Sequence, residues 1–485
     1  MAAVTIGGAK QLFVDDFLID RRDGVNLVMN RPHAEPAMLL GTDKAWQEGP
    51  QDFIWAASSV LAVNGKVRLW YQVNVLEPRP QPVGFVAVDK FVAYAESADG
   101  VHFDKPDLNL CPRDGAKPNN VVIPDTEGCS VWIDPKAQPQ RRYRSIHCDA
   151  QAYKPVFHSS PDGLRWTRTH EAAIGDCDSQ ASIFWDRTIG RYVMYTRQWV
   201  PKPPPPETAS RAHRRLESDD LVHWDRSTII LQADERDLAT YDASDDMPPV
   251  DYYGACVFRY PDPTGPYLML AQPFWHWYPR GGPTRPGPCG YDVRMLVSRD
   301  GANFERLRDR PVFLGPGPMG GWCSRQVWVL PQPLVMNDEI WIYFFGANFD
   351  HEGILDPWSQ GRHRTGIGRA VTRLDGFVSA DAGFDGGELT TKPIVFDGER
   401  LELNIDTSIG GFAQVEILDE QGQPIAGFAK DECEVICGNS VRWPVRWNGP
   451  RQIAELAGRP VRLRFVMRDS RLFAFQFVND RGSRG

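Results

Sequence analysis

Acidic side chains recur just ahead of apolar runs in this chain. Glu48 and Asp52 precede Phe53-Ile54-Trp55, and Asp176 and Asp178 precede Ser179-Gln180-Ala181-Ser182. Asp242, Asp245, Asp246 and Asp251 lead into Tyr252-Tyr253. A further position offers Asn119-Asn120 with Asp125 and Glu127, and a last one has no acid but Trp322, Arg325 and Gln326. Two carboxyls near one bond are the smallest set that can donate a proton from one side and accept one, or attack, from the other. A third acid nearby can hold their pKa values apart. A loop aspartate caps a turn just as readily, so placement relative to the strands decides between the two uses. Other chemistries lack their signatures: there is no phosphate-binding loop, dinucleotide fingerprint, nucleophile elbow or His-Glu-x-x-His pair. The 10 His do not cluster at metal spacing, and the 9 Cys include no Cys-x-x-Cys. Cys433 and Cys437 have no second pair to complete a zinc set. Neither a cofactor nor a metal is therefore expected, and the odd cysteine count suits a reducing compartment.

The elements that must position these acids are short strands. The 485 residues include 43 Gly and 40 Pro together with 16 Trp, 14 Tyr and 24 Phe. Breakers at that density exclude a helical bundle, because Pro removes a helix donor and Gly costs about 1 kcal/mol per helical site. The string Ser-x-Asp-Gly-x-x-aromatic occurs as Ser97-Ala-Asp99-Gly100-Val-His-Phe103, Ser160-Pro-Asp162-Gly163-Leu-Arg-Trp166 and Ser298-Arg-Asp300-Gly301-Ala-Asn-Phe304. A degenerate copy runs Ser218-Asp-Asp220-Leu221-Val-His-Trp224, and a trace remains at Asp375-Gly376-Phe377. Asp-Gly supplies a turn, and the ring three residues after Asp folds back on the strand. Ahead of each copy lie two strand-like runs, such as Ala56 to Ala62 with Val67 to Gln72, and Gln326 to Leu330 with Glu339 to Phe344. Five such units predict an all-β chain: a five-bladed β-propeller over residues 1–380, then a β-sandwich over 381–485, where strands alternate without the repeat. The strand Gln11 to Ile19 is expected to close the ring by pairing with the last blade. Asp15 and Asp16 on it read as turn or edge residues, and Trp443 and Trp447 as packing rings.

The charge balance, 54 Lys+Arg against 63 Asp+Glu for a net of −9, gives no basic stripe for nucleic acid. No apolar run is long enough to span a membrane. The N-terminal residues show no leader, so the expected location is cytoplasmic. The segment Pro201-Lys-Pro-Pro-Pro-Pro206 reads as a stiff loop over a rim.

The blade strings, with Phe13-Val-Asp-Asp-Phe17, Trp46-Gln-Glu48, Phe184-Trp-Asp186 and Asp375-Gly-Phe377, resemble bacterial proteins similar to glycoside hydrolase family 32. Gly387-Glu-Leu-Thr-Thr-Lys392-Pro, Leu403-Asn404 and Pro424-Ile-Ala-Gly427-Phe428 in the tail carry the same resemblance. It implies a five-bladed propeller with a C-terminal sandwich, as in families 32, 43, 68 and 130. The family 32 strings Asn-Asp-Pro-Asn and Arg-Asp-Pro are missing from their usual places, and Glu432-Cys433 falls within the tail, so the resemblance bears on architecture rather than on fructan cleavage. With it comes an expected activity: hydrolysis of a glycosidic bond by a carboxyl pair at the propeller mouth, on a furanoside or a uronate-containing glycan. Asp52 is the expected base or nucleophile, Asp178 the second carboxyl, Asp251 or Asp246 its partner or the acid, and Glu48 a reserve. Trp55, Trp199, the run Phe274-Trp275-His276-Trp277-Tyr278 and Trp322 are candidates to stack on sugar faces. Arg197, Arg325, Gln326, His351 and Arg364 are candidates to bind polar groups. The alternatives are a carbohydrate-binding propeller without catalysis and a sialidase-like hydrolase with an Arg trio and a Tyr nucleophile. A homo-oligomer, if formed, is expected through the sandwich.

Overall fold

A computed structural model describes residues 2–43, 52–78, 85–111, 118–149, 154–175, 180–201, 209–239, 249–261, 263, 265–276, 289–351 and 353–479. Glu48, Asp178, Asp246, Trp277, Tyr278 and the Pro-rich segment 202–206 lie outside them, as does the side chain of Asp52. Among the described residues the fold is built from strands, with one four-residue α-helix, Glu235–Leu238.

Five antiparallel sheets follow one another along the chain. Blade one is Asp52–Val63, Lys66–Pro78, Phe85–Ser97 and Val121–Ile123. Blade two is Thr126–Ile133, Tyr143–Asp149, Pro155–Ser160 and Thr167–Glu171. Blade three is Ser182–Asp186, Arg191–Pro201, Ala209–Ser218 and Trp224–Leu231. Blade four orders Val250–Arg259, Tyr267–Trp275, Val293–Ser298 and Glu305–Arg306, with two short strands alongside. Blade five orders Gln326–Val329, Glu339–Ala347, Thr365–Arg373 and, from the start of the chain, His33–Ala34.

The repeat found in the sequence joins these sheets into a ring. In each full copy the serine hydroxyl accepts the glycine N–H, and the aspartate accepts the next two backbone N–H groups, as Asp162 Oδ1 does from Leu164 and Arg165 at 2.8 Å. The glycines are left-handed, with φ of 73°, 80° and 74° at Gly100, Gly163 and Gly301. This bared backbone is a socket for the preceding blade. Trp70 Nε1 donates to Gly163 O at 2.7 Å, Tyr195 Oη to Gly301 O at 2.9 Å, and Tyr343 Oη to Gly100 O at 2.7 Å. At the two divergent copies, His170 Nε2 lies 2.9 Å from Leu221 O, and Tyr260 Oη donates to Asp375 Oδ1 at 2.7 Å. The five contacts run one to two, two to three, three to four, four to five and five back to one, so the ring closes: the fold is a five-bladed β-propeller.

The N-terminal strand differs from expectation. Gln11 and Leu12 pair with Phe475 and Ala474 of the C-terminal region, and His33–Ala34 is the segment that pairs with blade five. Buried Phe13, Leu18 and Ile19 explain the choice, because they belong to the C-terminal core. Asp15 has the structural role expected of it, accepting Phe17 N and holding Arg299 of the blade-four turn. Five C-terminal strands and three N-terminal ones, Gln11–Leu12, Ile19–Asp23 and Val25–Met29, form one continuous eight-stranded sheet. Its two longest members, Arg400–Leu418 and Arg462–Val478, pair along their length with register shifts at 404/405 and 407/412. Both strands supply one core, including Leu401, Ile405, Val415, Phe465 and Phe475. Trp443 and Trp447 pack against that core, as read from the sequence.

Candidate active site on the propeller axis

The innermost strands begin at Asp52, Thr126, Ser182, Val250 and Gln326, on the face opposite the Ser-x-Asp-Gly turns. A narrow cavity opens among the starts of these strands; about 20 Å³ of it is accessible to water, and about 370 Å³ counts the open solvent at its mouth as well. Trp55, Tyr253, Tyr291 and Trp328 form its aromatic walls, Gln180 and Gln326 contribute amides, and Glu127 contributes a carboxylate.

Two irregularities in the strands bring these groups together. Pairing of the first two strands of blade one shifts register between Trp55 and Ser59, and Trp55, Ala56 and Ala57 all reach the cavity. Alternation would send neighbours to opposite faces, and a bulge removes that constraint. Blade four shifts between Tyr252 and Gly254. There Tyr252 turns away to donate to Asp237 at 3.1 Å, while Tyr253 stacks on Tyr291 with centroids 5.5 Å apart and meets Trp328 edge-on. Gly254 makes room for Trp328, since a Cβ there would lie 2.1 Å from the indole. Across the axis, Trp328 Nε1 donates to Gln180 Oε1 at 2.8 Å, and Gln180 Nε2 donates to Val329 O. Blade five is thus tied to the entry of blade three.

A charged layer lies behind the aromatic wall. Asp251 is fully buried; one carboxylate oxygen accepts Arg211 N and Nη1, each at 3.0 Å, and the other lies 3.2 Å from His276 Nε2. Burial pushes this carboxyl up, but the His276 hydrogen bond and the Arg211 charge outweigh it and hold it below the usual range. Arg211 spreads over Tyr253 at 4.4 Å and Trp199 at 4.7 Å, and Arg197 lies over the same two rings. His351 is lowered to about 3, first by burial and then by the charges of Arg211 and His276. Burial lifts the Tyr291 phenol well above its ordinary value, and its hydroxyl lies within hydrogen-bonding distance of His351 Nδ1, at 2.7 Å. On the blade-one side, Glu127 is paired with Lys90 at 2.5 Å.

The candidate residues sort as follows. Trp55, Gln326, His276, His351, Arg197 and Asp251 all belong to this axial assembly. Gln326 donates to Phe349 O at 2.7 Å while lining the cavity. Asp52 heads the innermost strand of blade one. Trp322 stands apart: it stacks on Phe344 at 5.7 Å and donates to Pro36 O, which makes it a packing residue. Trp275 lies beside Arg294, and the Arg325 N–H is used by Ala347 O. Tyr253, Tyr291, Trp328, Gln180 and Lys90 were not singled out from the sequence. Gly254 is the available signal for Trp328, because a glycine inside a strand marks a close approach. A wider hollow lies on the C-terminal sheet beside Asn26, Asp381, Asp406 and Arg471, without aromatic walls.

The sequence matches no protein-family model and no curated protein. Solved structures of similar shape include a beta-1,2-mannobiose phosphorylase from Listeria innocua, at 15% identity, covering 71% of this chain and 97% of that one with a TM-score of 0.47. A glycosyl hydrolase from Bacteroides ovatus has 13% identity, 73% and 96% coverage and a TM-score of 0.46. A thermostable family-43 glycoside hydrolase has 15% identity, 69% and 94% coverage and a TM-score of 0.43. Likeness at this level concerns fold alone, and the propeller rests on the chain's own strand pairing.

Proposed function

We propose that this chain is a carbohydrate-active enzyme, a glycoside hydrolase that cleaves a glycosidic bond in the axial cavity. The observation that carries the reading is the cavity itself: aromatic walls for the C–H faces of a sugar, amides for its hydroxyls, and the Glu127 carboxylate beside them. Asp52, heading the innermost strand of blade one, is the base or nucleophile. Glu127, which lines the cavity wall beside Lys90, joins Asp178 as a candidate second carboxyl in this reading. Asp251, without exposed surface, acts through His276 and Arg211 as a positioning residue rather than as an acid touching substrate. Furanosides and uronate-containing glycans are the substrate classes to test first.

One observation favours a carbohydrate-binding protein without catalysis: among the described residues lining the cavity, Glu127 is the sole carboxylate. Hydrolysis of a panel of aryl glycosides and plant or algal oligosaccharides separates the two. The enzyme reading expects turnover by the wild type, with losses of about 10²-fold or more in Asp52→Asn and Glu127→Gln, in the range of general acid–base effects. Full activity in both variants, or binding without turnover, contradicts it. Stereochemistry then fixes the carboxyl spacing, about 5–5.5 Å for retention and about 6.5–9.5 Å for inversion.

A further inference from the structure

Two loops of blade five rise on the mouth face: 315–325, which leads into its innermost strand, and 348–364, which joins its second strand to its third. The longer loop places His351 against Trp55, Tyr253 and Tyr291 of the cavity. Seven residues on, it leaves Trp358 68% exposed. An indole gains from burial, so one left in water on a loose loop would be unremarkable, but this loop is braced. Asp356, buried to 1% exposure, accepts Gly320 N and Ser324 Oγ at 2.6 Å each and Trp358 N at 2.7 Å, fastening one loop to the other. Buried Asn348 donates to Arg362 O and accepts Arg364 N, both at 2.8 Å, and buried Asp350 accepts Ile354 N at 2.8 Å. Three buried polar side chains therefore fix the shape of a loop that presents a large ring to solvent.

The surroundings of the ring decide what it meets. Exposed Gln360, Arg362 and Arg364 flank it in sequence, and the same two loops expose Met319 and Ile354. A flat apolar face among hydrogen-bonding groups suits a polyhydroxylated ring, whose C–H face stacks while its hydroxyls are met at the edge. The same loop carries His351, which packs against the cavity rings Trp55, Tyr253 and Tyr291, so one ligand can reach from the cavity to this ring.

We propose that Trp358 is a stacking platform for a sugar unit beyond the one held in the axial cavity, so that the substrate is an oligosaccharide or polysaccharide running from the cavity across blade five. This rests on the carbohydrate reading of the cavity. A platform fixed before binding loses little freedom when the sugar arrives, which is what makes one exposed ring worth bracing.

The test compares wild type, Trp358→Ala and Trp358→Phe on a p-nitrophenyl monoglycoside and on a five-unit oligosaccharide of the same sugar. The alanine variant is expected to raise KM for the five-unit substrate about five- to ten-fold more than for the monoglycoside, as the loss of one stacked ring implies, with kcat little altered and most of the effect restored by phenylalanine. Equal effects on the two substrates, or none on the longer one, overturn the platform while leaving hydrolysis standing. Should the wild type turn over no glycoside, the enzyme reading fails by itself. Affinity electrophoresis through gels containing soluble plant or algal polysaccharides then decides: retardation of wild type that Trp358→Ala abolishes supports the platform, and unchanged or absent retardation overturns it.

Discussion

At the scale of single residues, environment sets the work that each titratable group can do. Asp251 stands in the sequence as one aspartate among several before Tyr252, and its burial between Arg211 and His276 turns it into a support. Glu127 differs by lining the cavity itself, and Asp52 heads the innermost strand of blade one. His351 illustrates the consequence for pH. With its pKa lowered to about 3, it is neutral throughout the range, about pH 5 to 8, in which an ordinary histidine titrates. The pH–rate profile is therefore expected to show limbs from carboxyls and none from this ring. His351→Gln should weaken substrate binding while leaving the limbs in place, and a limb that disappears in the variant would show that the ring titrates in the working range. Of these residue roles, the sequence displayed the acids and the rings by type, but not which of them meet. Long loops and two bulges decide that, and neither has a period that can be read from residue order.

At the scale of elements, the repeat was legible because turn chemistry is demanding. Ser and Asp supply the hydroxyl and carboxylate that accept the turn's N–H groups, and Gly takes its left-handed position at least cost, although Leu221 holds it at φ 66° in the divergent copy. Its second use, as a socket for the neighbouring blade, depends on long-range packing and so was not visible. Gly301→Ala tests the socket. The added Cβ would lie 2.6 Å from Tyr195 Oη on a backbone of φ 74°. Strain and overpacking together are expected to cost about 2–4 kcal/mol, read by denaturant unfolding, whereas Gly65→Ala, at φ 73° but with nothing within 4 Å, should cost only the strain. Equal losses in both would mean the socket is not filled. The turn aspartates also set the acid limit of stability. Asp99 is held below its ordinary value chiefly by the His102 ring, and Asp220 by the His223 backbone N–H. In Asp162 and Asp300 burial opposes the shift and the turn N–H groups outweigh it. Folded-state values below unfolded ones mean that the unfolded chain binds more protons, so this stabilisation is whole above about pH 4 and drains away as pH falls toward the folded values. Melting temperature should thus drop between about pH 4 and pH 2, and Asp300→Asn should flatten the slope; an unchanged slope would contradict the assignment.

At the scale of the whole molecule, the C-terminal sheet is fastened to the ring by a shared apolar cluster, with Leu12, Val14 and Ala474 among Phe258, Phe313 and Ile340, and by polar contacts of unequal worth. Asp375, 1% exposed, holds Lys10 Nζ at 3.0 Å, Tyr260 Oη at 2.7 Å and Asn404 Nδ2 at 2.9 Å, linking the N-terminal segment, blade four and the C-terminal sheet at the fifth turn. The pair Arg442–Asp338 spans the same boundary in solvent at 2.6 Å. Removing one partner from a buried set leaves unmatched polar groups, so Asp375→Ala is expected to destabilise by about 3–5 kcal/mol, against less than about 1 kcal/mol for Asp338→Ala. Thermal unfolding of both variants distinguishes them, and similar small shifts would show that the buried set does not join the two parts. Alternation of apolar residues revealed that the tail is β-structured, yet the pairing of Gln11 and Leu12 with it, rather than with blade five, could not be read from local pattern. Partner choice between two exposed edges depends on which core receives Phe13 and Leu18.

The central claim, that a glycosidic bond is cleaved in the axial cavity, is tested most directly by a crystal structure of Glu127→Gln soaked with an oligosaccharide that the wild type hydrolyses. A sugar ring against Trp55 and Tyr253, with its glycosidic oxygen within hydrogen-bonding distance of residue 127 or of Asp52, is the predicted result. Sugar bound only outside the cavity, for example in the hollow beside Asp381 and Asp406 on the C-terminal sheet, would contradict the account.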